Sequence, residues 1–372
     1  MANTTAAWRF RLVPNGDRTK WTYYDIHNFC ASKNCSDGAL PTSELIIDSA
    51  GNLYGTTSTG GTTTAPLGVV YKLTRGANGW TLSVIHTFKN DGAVYSGLSY
   101  VGQHTGAPWN QVSPLLGVTT QGGKYGKGTI FELTPNGSGF TYKIIHSFKT
   151  SSPAAFDNPL YIDSSGKMYG LTSGNSNVDD AGTLYEVDGG TFQVTILHGF
   201  CKLLNCTDGA VPAGPLTKDH SGNIFGTTVL GGVGNGESLC ASTGFYFNGC
   251  GVAFEYSVQK KFSIVHNFCS LIYCGDGAFP YGGVIVDTSG TLYGTASDRP
   301  DLFTFGYGKV FSLSYTQNQW SETVLCEFGD PNCIDGAGPS GGLTMDGSGY
   351  LNLFGTTYGW QGSPGNVFEI PH

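Results

Sequence analysis

A short motif, Leu-Tyr-Gly or a close variant of it, recurs along the whole chain and constrains the fold more than any other feature. Its glycine falls at six positions, Gly55, Gly117, Gly170, Gly226, Gly294 and Gly355. The period of about 60 residues is longer than that of a WD40 blade and suits one four-stranded sheet per repeat. The sequence therefore predicts an all-β chain, a six-bladed β-propeller that forms a single domain over residues 1–372.

Each repeat contains four strand-like pieces, here named a, b, c and d in chain order. Piece b carries Leu-Tyr-Gly-Thr-Thr, piece c reads Gly-x-Val-Phe-x-Leu, and piece d ends in Ile-His-x-Phe. The alternation of polar and apolar residues in c and d predicts strands with one face in a core between sheets. The predicted blades are approximately 30–88, 89–148, 149–200, 201–268, 269–328 and 329–372.

The two termini share the last blade. The sixth repeat ends without a d piece, whereas Trp21–Phe29 reads as a d strand with no a or b before it. We therefore expect the N-terminal segment 1–29 to close the ring and remove an exposed sheet edge. Trp8–Gly16 also reads as a c strand, so it is either a fifth outer strand or a strand given to a neighbouring molecule. A monomer is expected, with a strand-exchanged assembly as the alternative.

All ten cysteines fall into short-range pairs. Three pairs share the pattern Cys-x4-Cys before Asp-Gly-Ala, whereas zinc sites more often use Cys-x2-Cys doublets. Disulfides in an oxidising compartment are therefore predicted, which favours an extracellular, periplasmic or cell-surface location, although no signal peptide follows Met1. The predicted pairs are Cys30/Cys35, Cys201/Cys206, Cys240/Cys250, Cys269/Cys274 and Cys326/Cys333.

Charge and hydropathy exclude several partners. The net charge is −8 and no Lys/Arg run exceeds two residues, so a nucleic-acid partner is disfavoured. The longest apolar stretches have the length of a strand, so no membrane span is predicted. No Asp-x-Asp-x-Asp-Gly loop occurs, and we predict neither a metal nor another cofactor.

The complete unit resembles the GloVer tandem repeat of secreted or surface-anchored bacterial proteins. The matching residues are Asp-Gly-Ala-x-Pro, then Leu-x-x-Asp-x-x-Gly-Asn-Leu-Tyr-Gly-Thr-Thr, then Gly-Gly and Gly-x-Val-Phe-x-Leu. The resemblance covers nearly the whole chain and implies a β-propeller-like repeat protein of the cell exterior. It implies no particular activity and no catalytic residues.

Polar residues that recur in every blade are interpreted as structural. An Asp that caps its own turn explains the five Asp-Gly-Ala turns better than five catalytic acids do. The histidines of the Ile-His-x-Phe strands are likewise expected to make structural hydrogen bonds rather than a metal site. The residues concerned are Asp37, Asp91, Asp208, Asp276 and Asp335, with His27, His86, His146, His198 and His266.

Function is predicted where the repeat is broken. The b-to-c and d-to-a loops should share one face, and the long irregular loops of blades 2 to 6 lie there. Carboxylates and aromatic rings on these loops are what a sugar site needs. Candidate catalytic carboxylates are Asp179, Asp180, Glu237, Asp298 and Asp301; candidate substrate-binding residues are Lys124, Tyr125, Tyr246, Asn248, Arg299, Tyr358 and Trp360.

The sequence thus predicts an extracellular, carbohydrate-interacting β-propeller whose partner is a poly- or oligosaccharide. Two interpretations remain open. The first is an enzyme that cleaves polysaccharide, a glycoside hydrolase before a polysaccharide lyase. The second is a non-catalytic binding, adhesion or display module. On the other face, His104 and Trp109 form either a lesser site or a loop that plugs the channel.

Overall fold

The computed structural model describes most of the 372-residue chain. The described residues are 8–14, 21–41, 43–61, 66–77, 79–89, 91–149, 158–174, 180–234, 249–298, 307–330, 333, 336–345, 352–357 and 365–370. Contacts group the chain into two compact units, Met1–Met168 with Val187–Gln193, and Tyr169–Glu186 with Val194–His372. No helix in the described residues is long and apolar enough to cross a membrane.

The regular structure is almost entirely β. The strands up to the middle of the chain are β1 (Trp8–Pro14), β2 (Trp21–Asn28), β3 (Ile46–Ile47), β4 (Leu53–Thr57), β5 (Val69–Gly76), β6 (Gly79–Thr87), β7 (Leu115–Thr119), β8 (Thr129–Asn136), β9 (Gly139–Ser147), β10 (Tyr161–Ile162), β11 (Met168–Thr172) and β12 (Thr183–Val187). The remaining strands are β13 (Val194–Gly199), β14 (Ala210–Lys218), β15 (Ile224–Leu230), β16 (Val252–Tyr256), β17 (Phe262–Asn267), β18 (Val284–Val286), β19 (Leu292–Ala296), β20 (Lys309–Thr316), β21 (Gln319–Glu327), β22 (Thr344–Met345), β23 (Leu353–Thr356) and β24 (Val367–Ile370).

Each repeat forms one antiparallel sheet, or blade, whose strands follow in chain order. Blade 1 is β3-β4-β5-β6, blade 2 is β7-β8-β9, blade 3 is β10-β11-β12-β13, blade 4 is β14-β15-β16-β17, blade 5 is β18-β19-β20-β21 and blade 6 is β22-β23-β24. The predicted class, an all-β propeller protein with six blades, is confirmed. Blade 2 differs in its a piece, which the sequence placed at Gly97–Val101: only a bridge from Ser99 to Leu116 forms there.

The N-terminal hairpin packs on blade 1. Strands β1 and β2 pair with each other in a two-stranded sheet. Phe29, directly after β2, lies 4.9 Å from the ring of Tyr71 in blade 1. The same kind of contact joins Phe268 of blade 4 to Phe311 of blade 5 at 5.0 Å. β2 therefore packs on blade 1 as a d strand packs on the following blade, while its pairing with blade 6 stays a prediction.

The recurring glycine of Leu-Tyr-Gly makes room for an aromatic ring. Gly226 pairs with Phe254, and Gly294 pairs with Phe311, on the neighbouring c strand. A Cβ on Gly226 would lie 2.6 Å from the Phe254 ring, well inside van der Waals contact. The ring lies over the bare backbone and fills the core of the blade, which explains why the motif requires glycine.

The disulfides form as the cysteine spacing predicts. Four pairs are bonded: Cys30–Cys35, Cys201–Cys206, Cys269–Cys274 and Cys326–Cys333. The fifth predicted pair includes Cys240, which lies outside the described residues. Its predicted partner, Cys250, is disulfide-bonded.

A threonine two residues after the recurring glycine ties strand b to strand c. Thr228 is fully buried; its Oγ1 accepts the Val252 N–H at 3.2 Å and donates to the Leu230 carbonyl at 2.9 Å. Thr57 and Thr119 accept the first N–H of their c strands in the same way. These hydroxyls are therefore structural.

Replacing Thr228 with Val should destabilise the protein by about 1–2 kcal/mol, because the buried Val252 N–H loses its acceptor. Urea unfolding measures the change. Thr195→Val is the matched control, since Thr195 is exposed on β13. Equal stabilities for the two variants would contradict a structural role for the Thr228 hydroxyl.

Candidate functional site

The structure describes four of the predicted site residues, Lys124, Tyr125, Asp180 and Asp298. Asp180 lies half-buried at the start of the segment that leads to strand β12. The others lie outside the described residues: Asp179, Glu237, Tyr246, Asn248, Arg299, Asp301, Tyr358 and Trp360. The site is therefore built from the described four and from the side chains that surround them.

The recurring His and Asp residues pair with each other within a d-to-a connection. His198 Nε2 lies 3.1 Å from Asp208 Oδ2, and Asp208 also accepts the N–H groups of Lys202 and Leu203. Burial acts to raise the pKa of Asp208, but these hydrogen bonds hold it below its ordinary value. Equivalent pairs are His27–Asp37 at 3.2 Å and His86–Asp91 at 2.8 Å. The structural interpretation of these residues is confirmed for the three pairs.

Blade 5 departs from this pattern with a buried ion pair. Asp298, two residues after strand β19, is fully buried, and its Oδ2 lies 2.8 Å from Lys309 Nζ. Its other oxygen accepts the Ala278 N–H at 2.5 Å. Lys309 begins strand β20 and also lies 3.3 Å from Glu327 Oε1 at the end of β21. We call Asp298, Lys309 and Glu327 the blade 5 charge cluster.

Two side chains of the charge cluster are buried and the third is exposed to solvent. The side chains of Asp298 and Lys309 are 0% and 3% exposed, whereas that of Glu327 is 51% exposed. Burial raises the pKa of Asp298 to about 7, against the opposing effect of the Lys309 ammonium. Burial disfavours the charge on Lys309, but Asp298 and Glu327 raise its pKa above the ordinary value. Sequence analysis had placed Asp298 on a solvent-facing loop; the structure places it inside.

A second departure in blade 5 replaces an aromatic ring by a carboxylate. In blades 2 and 4, a ring on strand d stacks on the His of the preceding blade. Tyr142 lies 3.8 Å from His86, and Phe262 lies 3.6 Å from His198, both nearly parallel. Glu322 takes this position on β21, opposite Leu313, as Tyr142 lies opposite Leu133. It therefore faces His266 of blade 4.

His266, Asp276 and Glu322 form a compact group, here called the His266 triad. His266 Nε2 lies 3.4 Å from Asp276 Oδ2 and 3.9 Å from Glu322 Oε2. His266 Nε2 and Glu322 Oε1 are buried and have no hydrogen-bond partner among the described residues. Burial, followed by the charge of Asp276, raises the pKa of Glu322 to about 8, although Lys309 acts in the opposite direction.

Blade 2 carries an exposed aromatic residue between two cations. Tyr125 lies at the tip of the b-to-c loop, which a Gly126 N–H bond to Gly123 and a Gly128 N–H bond to Gly122 hold in place. Its ring is 5.3 Å from Lys124 Nζ and 5.7 Å from Lys149 Nζ, within cation–π range. Tyr125 is 42% exposed. We call these three residues the Tyr125 patch.

The loop with His104 and Trp109 belongs to the scaffold. Trp109 is 1% exposed and packs edge-on against Tyr54 at 5.0 Å and parallel to Phe140 at 6.1 Å. His104 Nδ1 lies 3.2 Å from the Ile162 carbonyl. These contacts argue against a second binding site at Trp109, because the indole is part of the core shared by blades 1 and 2. The alternative, a loop that plugs the channel, stays a prediction.

Sequence reasoning missed Lys309, Glu322 and Lys149. The signal for the first two was present, since each puts a charge where the corresponding residues of other repeats are uncharged. Val69, Thr129 and Val252 occupy the position of Lys309, and Leu82, Tyr142 and Phe262 occupy that of Glu322. Comparing the repeats position by position, rather than loop by loop, identifies both. Lys149 required the geometry, because its distance from Tyr125 depends on the loop conformation.

Comparisons with known proteins identify the repeat and the fold. A sequence model of the Gloeobacter/Verrucomicrobia repeat matches residues 4–239. Comparison with curated protein sequences finds no match. A protein from Lactobacillus plantarum is similar in structure, with a TM-score of 0.54 and 12% identity, over 97% of this chain and 90% of that one. At this identity the likeness shows the fold alone.

Two further solved structures are more distant. A putative 6-phosphogluconolactonase from Bacteroides uniformis aligns over 97% of this chain and 96% of its own, with a TM-score of 0.49 and 11% identity. TolB from Acinetobacter baumannii aligns over 81% of this chain, with a TM-score of 0.44 and 12% identity. The chain spans 57% of the length of that TolB chain.

Proposed function

The chain belongs to the Gloeobacter/Verrucomicrobia repeat family, and from this premise we propose that its function lies where single blades depart from the repeat. We propose an extracellular protein that interacts with carbohydrate and that recognises an acidic poly- or oligosaccharide through the Tyr125 patch. The observation that carries the proposal is the exposed Tyr125 ring held between two lysine ammonium groups. The bonded cysteine pairs support the oxidising location.

The patch combines two kinds of sugar recognition. A flat exposed ring can stack on the C–H face of a pyranose, while ammonium groups bind the carboxylate or sulfate of an acidic sugar. The ring is fixed because backbone hydrogen bonds close the loop on both sides of it. The patch is locally positive although the net charge of the chain is −8, so it would attract an acidic glycan that the chain as a whole repels.

Replacing Tyr125 with Ala should weaken binding of an acidic oligosaccharide about tenfold, since the stacking surface contributes on the order of 1–1.5 kcal/mol. Lys149→Ala should weaken it to a similar extent and should also reduce the dependence of binding on salt. A glycan array of neutral, uronate and sulfated oligosaccharides selects the ligand, and titration calorimetry measures the affinity.

Tyr24→Ala is the matched control, because Tyr24 is another exposed tyrosine, at 53%, on strand β2. It should bind as the unsubstituted protein does. Unchanged affinity in both Tyr125→Ala and Lys149→Ala, or no retained glycan on the array, would refute the proposal.

A second candidate function, cleavage of the glycan by hydrolysis, is supported by the blade 5 charge cluster. One Lys309 ammonium contacts carboxylate oxygens of both Asp298 and Glu327. Two oxygens on one ammonium lie at most about 6 Å apart, so their separation reaches at most the lower end of the roughly 5–10 Å that separates the carboxyl groups of glycoside hydrolases. Glu327, which is half-exposed, would contact the substrate, and Asp298 and Lys309 would position it.

Incubation with a polysaccharide panel tests cleavage, with new reducing ends for a hydrolase and absorbance of unsaturated uronates for a lyase. Glu327→Gln should abolish the release of reducing ends, while Glu369→Gln on β24 should not. A protein that binds glycans but releases no product from any of them is a binding module, and the hydrolase candidate is then wrong.

A further inference from the structure

We propose that the His266 triad is a binding site for one divalent transition-metal cation, with Zn²⁺ as the best match. The ligands would be His266 Nε2 and one carboxylate oxygen each from Asp276 and Glu322. These ligand atoms all lie within 4.8 Å of one another. The proposal is independent of the glycan proposal, since none of these residues belongs to the Tyr125 patch or to the charge cluster.

The distances suit a single ion. Two ligands of a tetrahedral Zn²⁺, each at ~2.1 Å from the metal, are ~3.4 Å apart. His266 Nε2 lies 3.4 Å from Asp276 Oδ2 and 3.9 Å from Glu322 Oε2. Both separations are long for a direct N–H···O hydrogen bond, which is typically ~2.7–3.2 Å. The separations are therefore compatible with one ion held between the three side chains.

Two buried polar atoms of the triad have no hydrogen-bond partner among the described residues. The Glu322 side chain is 10% exposed and that of His266 is 15% exposed. Glu322 Oε1 and His266 Nε2 have no hydrogen-bond partner among the described residues. Leaving a buried carboxylate unpaired is costly, and a bound cation supplies the missing interaction.

The comparison with other blades shows what is special about this position. His86–Asp91 and His198–Asp208 make the same pair, but an aromatic ring covers each histidine. Glu322 takes the place of that ring beside the His266–Asp276 pair. It therefore adds a third potential ligand to this pair. One imidazole and two carboxylates favour Zn²⁺ or a similar transition metal over Ca²⁺ and Mg²⁺, which prefer oxygen ligands alone.

The test uses the full chain, without an affinity tag and stripped with a chelator. Titration with ZnCl2 should show one bound ion per chain and raise the melting temperature, and CaCl2 at equal concentration should do neither. His266→Gln and Glu322→Gln should each weaken Zn²⁺ binding at least tenfold and remove the rise in melting temperature. Co²⁺ in place of Zn²⁺ should give visible absorption bands that both variants lose.

His198→Gln is the matched control, since His198 makes the same pair with Asp208 but is covered by Phe262. It should bind Zn²⁺ as the unsubstituted protein does. The proposal is overturned if the stripped protein binds no Zn²⁺, if Glu322→Gln binds it undiminished, or if His198→Gln loses it. Folded variants are recognised by unchanged circular dichroism, so loss of binding through unfolding is separated from loss of a ligand.

Discussion

Lys309→Met should destabilise the protein by about 3–5 kcal/mol at pH 8, the largest effect expected of any single substitution proposed for this chain. Removal of the ammonium leaves the fully buried Asp298 carboxyl without its cation. The pKa of Asp298 is already raised to about 7 by burial, and loss of Lys309 raises it further. Urea unfolding monitored by fluorescence measures the free energy of unfolding.

The pH dependence of Lys309→Met has a definite sign. A carboxyl whose pKa is higher in the folded than in the unfolded state contributes stability at low pH that is lost as pH rises through the folded pKa. The penalty of Lys309→Met should therefore be smallest and nearly constant from pH 5 to about 7, where Asp298 is protonated in both proteins, and should grow towards pH 8, where Asp298 is ionised in the unsubstituted protein. A penalty that does not grow towards pH 8 would contradict the burial of an unpaired carboxylate.

The double variant Asp298→Asn with Lys309→Met is the control. The amide keeps the shape of the carboxyl, accepts the Ala278 N–H, and tolerates the φ of +46° found at this position. The double variant should recover most of the lost stability, because no charge remains buried. If the double variant is as unstable as the single one, the loss comes from packing around Lys309 and not from charge.

The repeat made the fold predictable. Gly-aromatic pairs such as Gly226 with Phe254 recur from blade to blade, as do buried threonines such as Thr228, although Ala296 takes the place of that threonine in blade 5. Both features are written locally in the sequence. The local patterns therefore agree with the sheet that they form. The exception is blade 2, where Gly97–Val101 carries the pattern of strand a but makes only the bridge at Ser99.

The candidate site was less predictable, because it depends on contacts between blades. Asp298 was identified as a loop carboxylate, yet its partner Lys309 lies on the next strand and removes it from solvent. Glu322 looks like an ordinary exposed residue of an alternating strand. Its significance comes from His266 of the preceding blade, which the sequence alone does not place opposite it. Two residues of the Tyr125 patch, Lys124 and Tyr125, were predicted from the sequence. Lys149 was not, because it comes close to Tyr125 only in the folded chain.

Blade 5 therefore has charged residues, Lys309 and Glu322, at positions where blades 1, 2 and 4 have uncharged ones. A buried charge destabilises the folded protein unless a ligand or an ion offsets its free-energy cost. Proteins tolerate such charges mainly at functional sites. Lys309 satisfies Asp298, whereas no described residue satisfies the free oxygen of Glu322. The buried carboxylate of the charge cluster therefore has its counter-ion within the cluster, whereas the His266 triad lacks a cation among the described residues.

Glu322→Phe should stabilise the metal-free protein by about 2–3 kcal/mol, because it removes a buried carboxyl without a partner and restores a ring. The new ring should stack on His266 as Phe262 stacks on His198, at 3.6 Å and nearly parallel. Thermal and urea unfolding in the presence of a chelator measure the gain. Added Zn²⁺ should narrow the difference by stabilising only the unsubstituted protein.

The reverse substitution in blade 4 completes this test. Phe262→Glu places a carboxylate against His198, removes the stacked ring, and should destabilise the metal-free protein by about 3 kcal/mol. With the neighbouring Asp208 it also copies the His266 triad, so the variant should bind a second Zn²⁺ and recover part of its stability. If Glu322→Phe lowers the free energy of unfolding in the presence of the chelator, the carboxyl of Glu322 does not destabilise the metal-free protein, and the inference drawn from its unpaired oxygen is wrong.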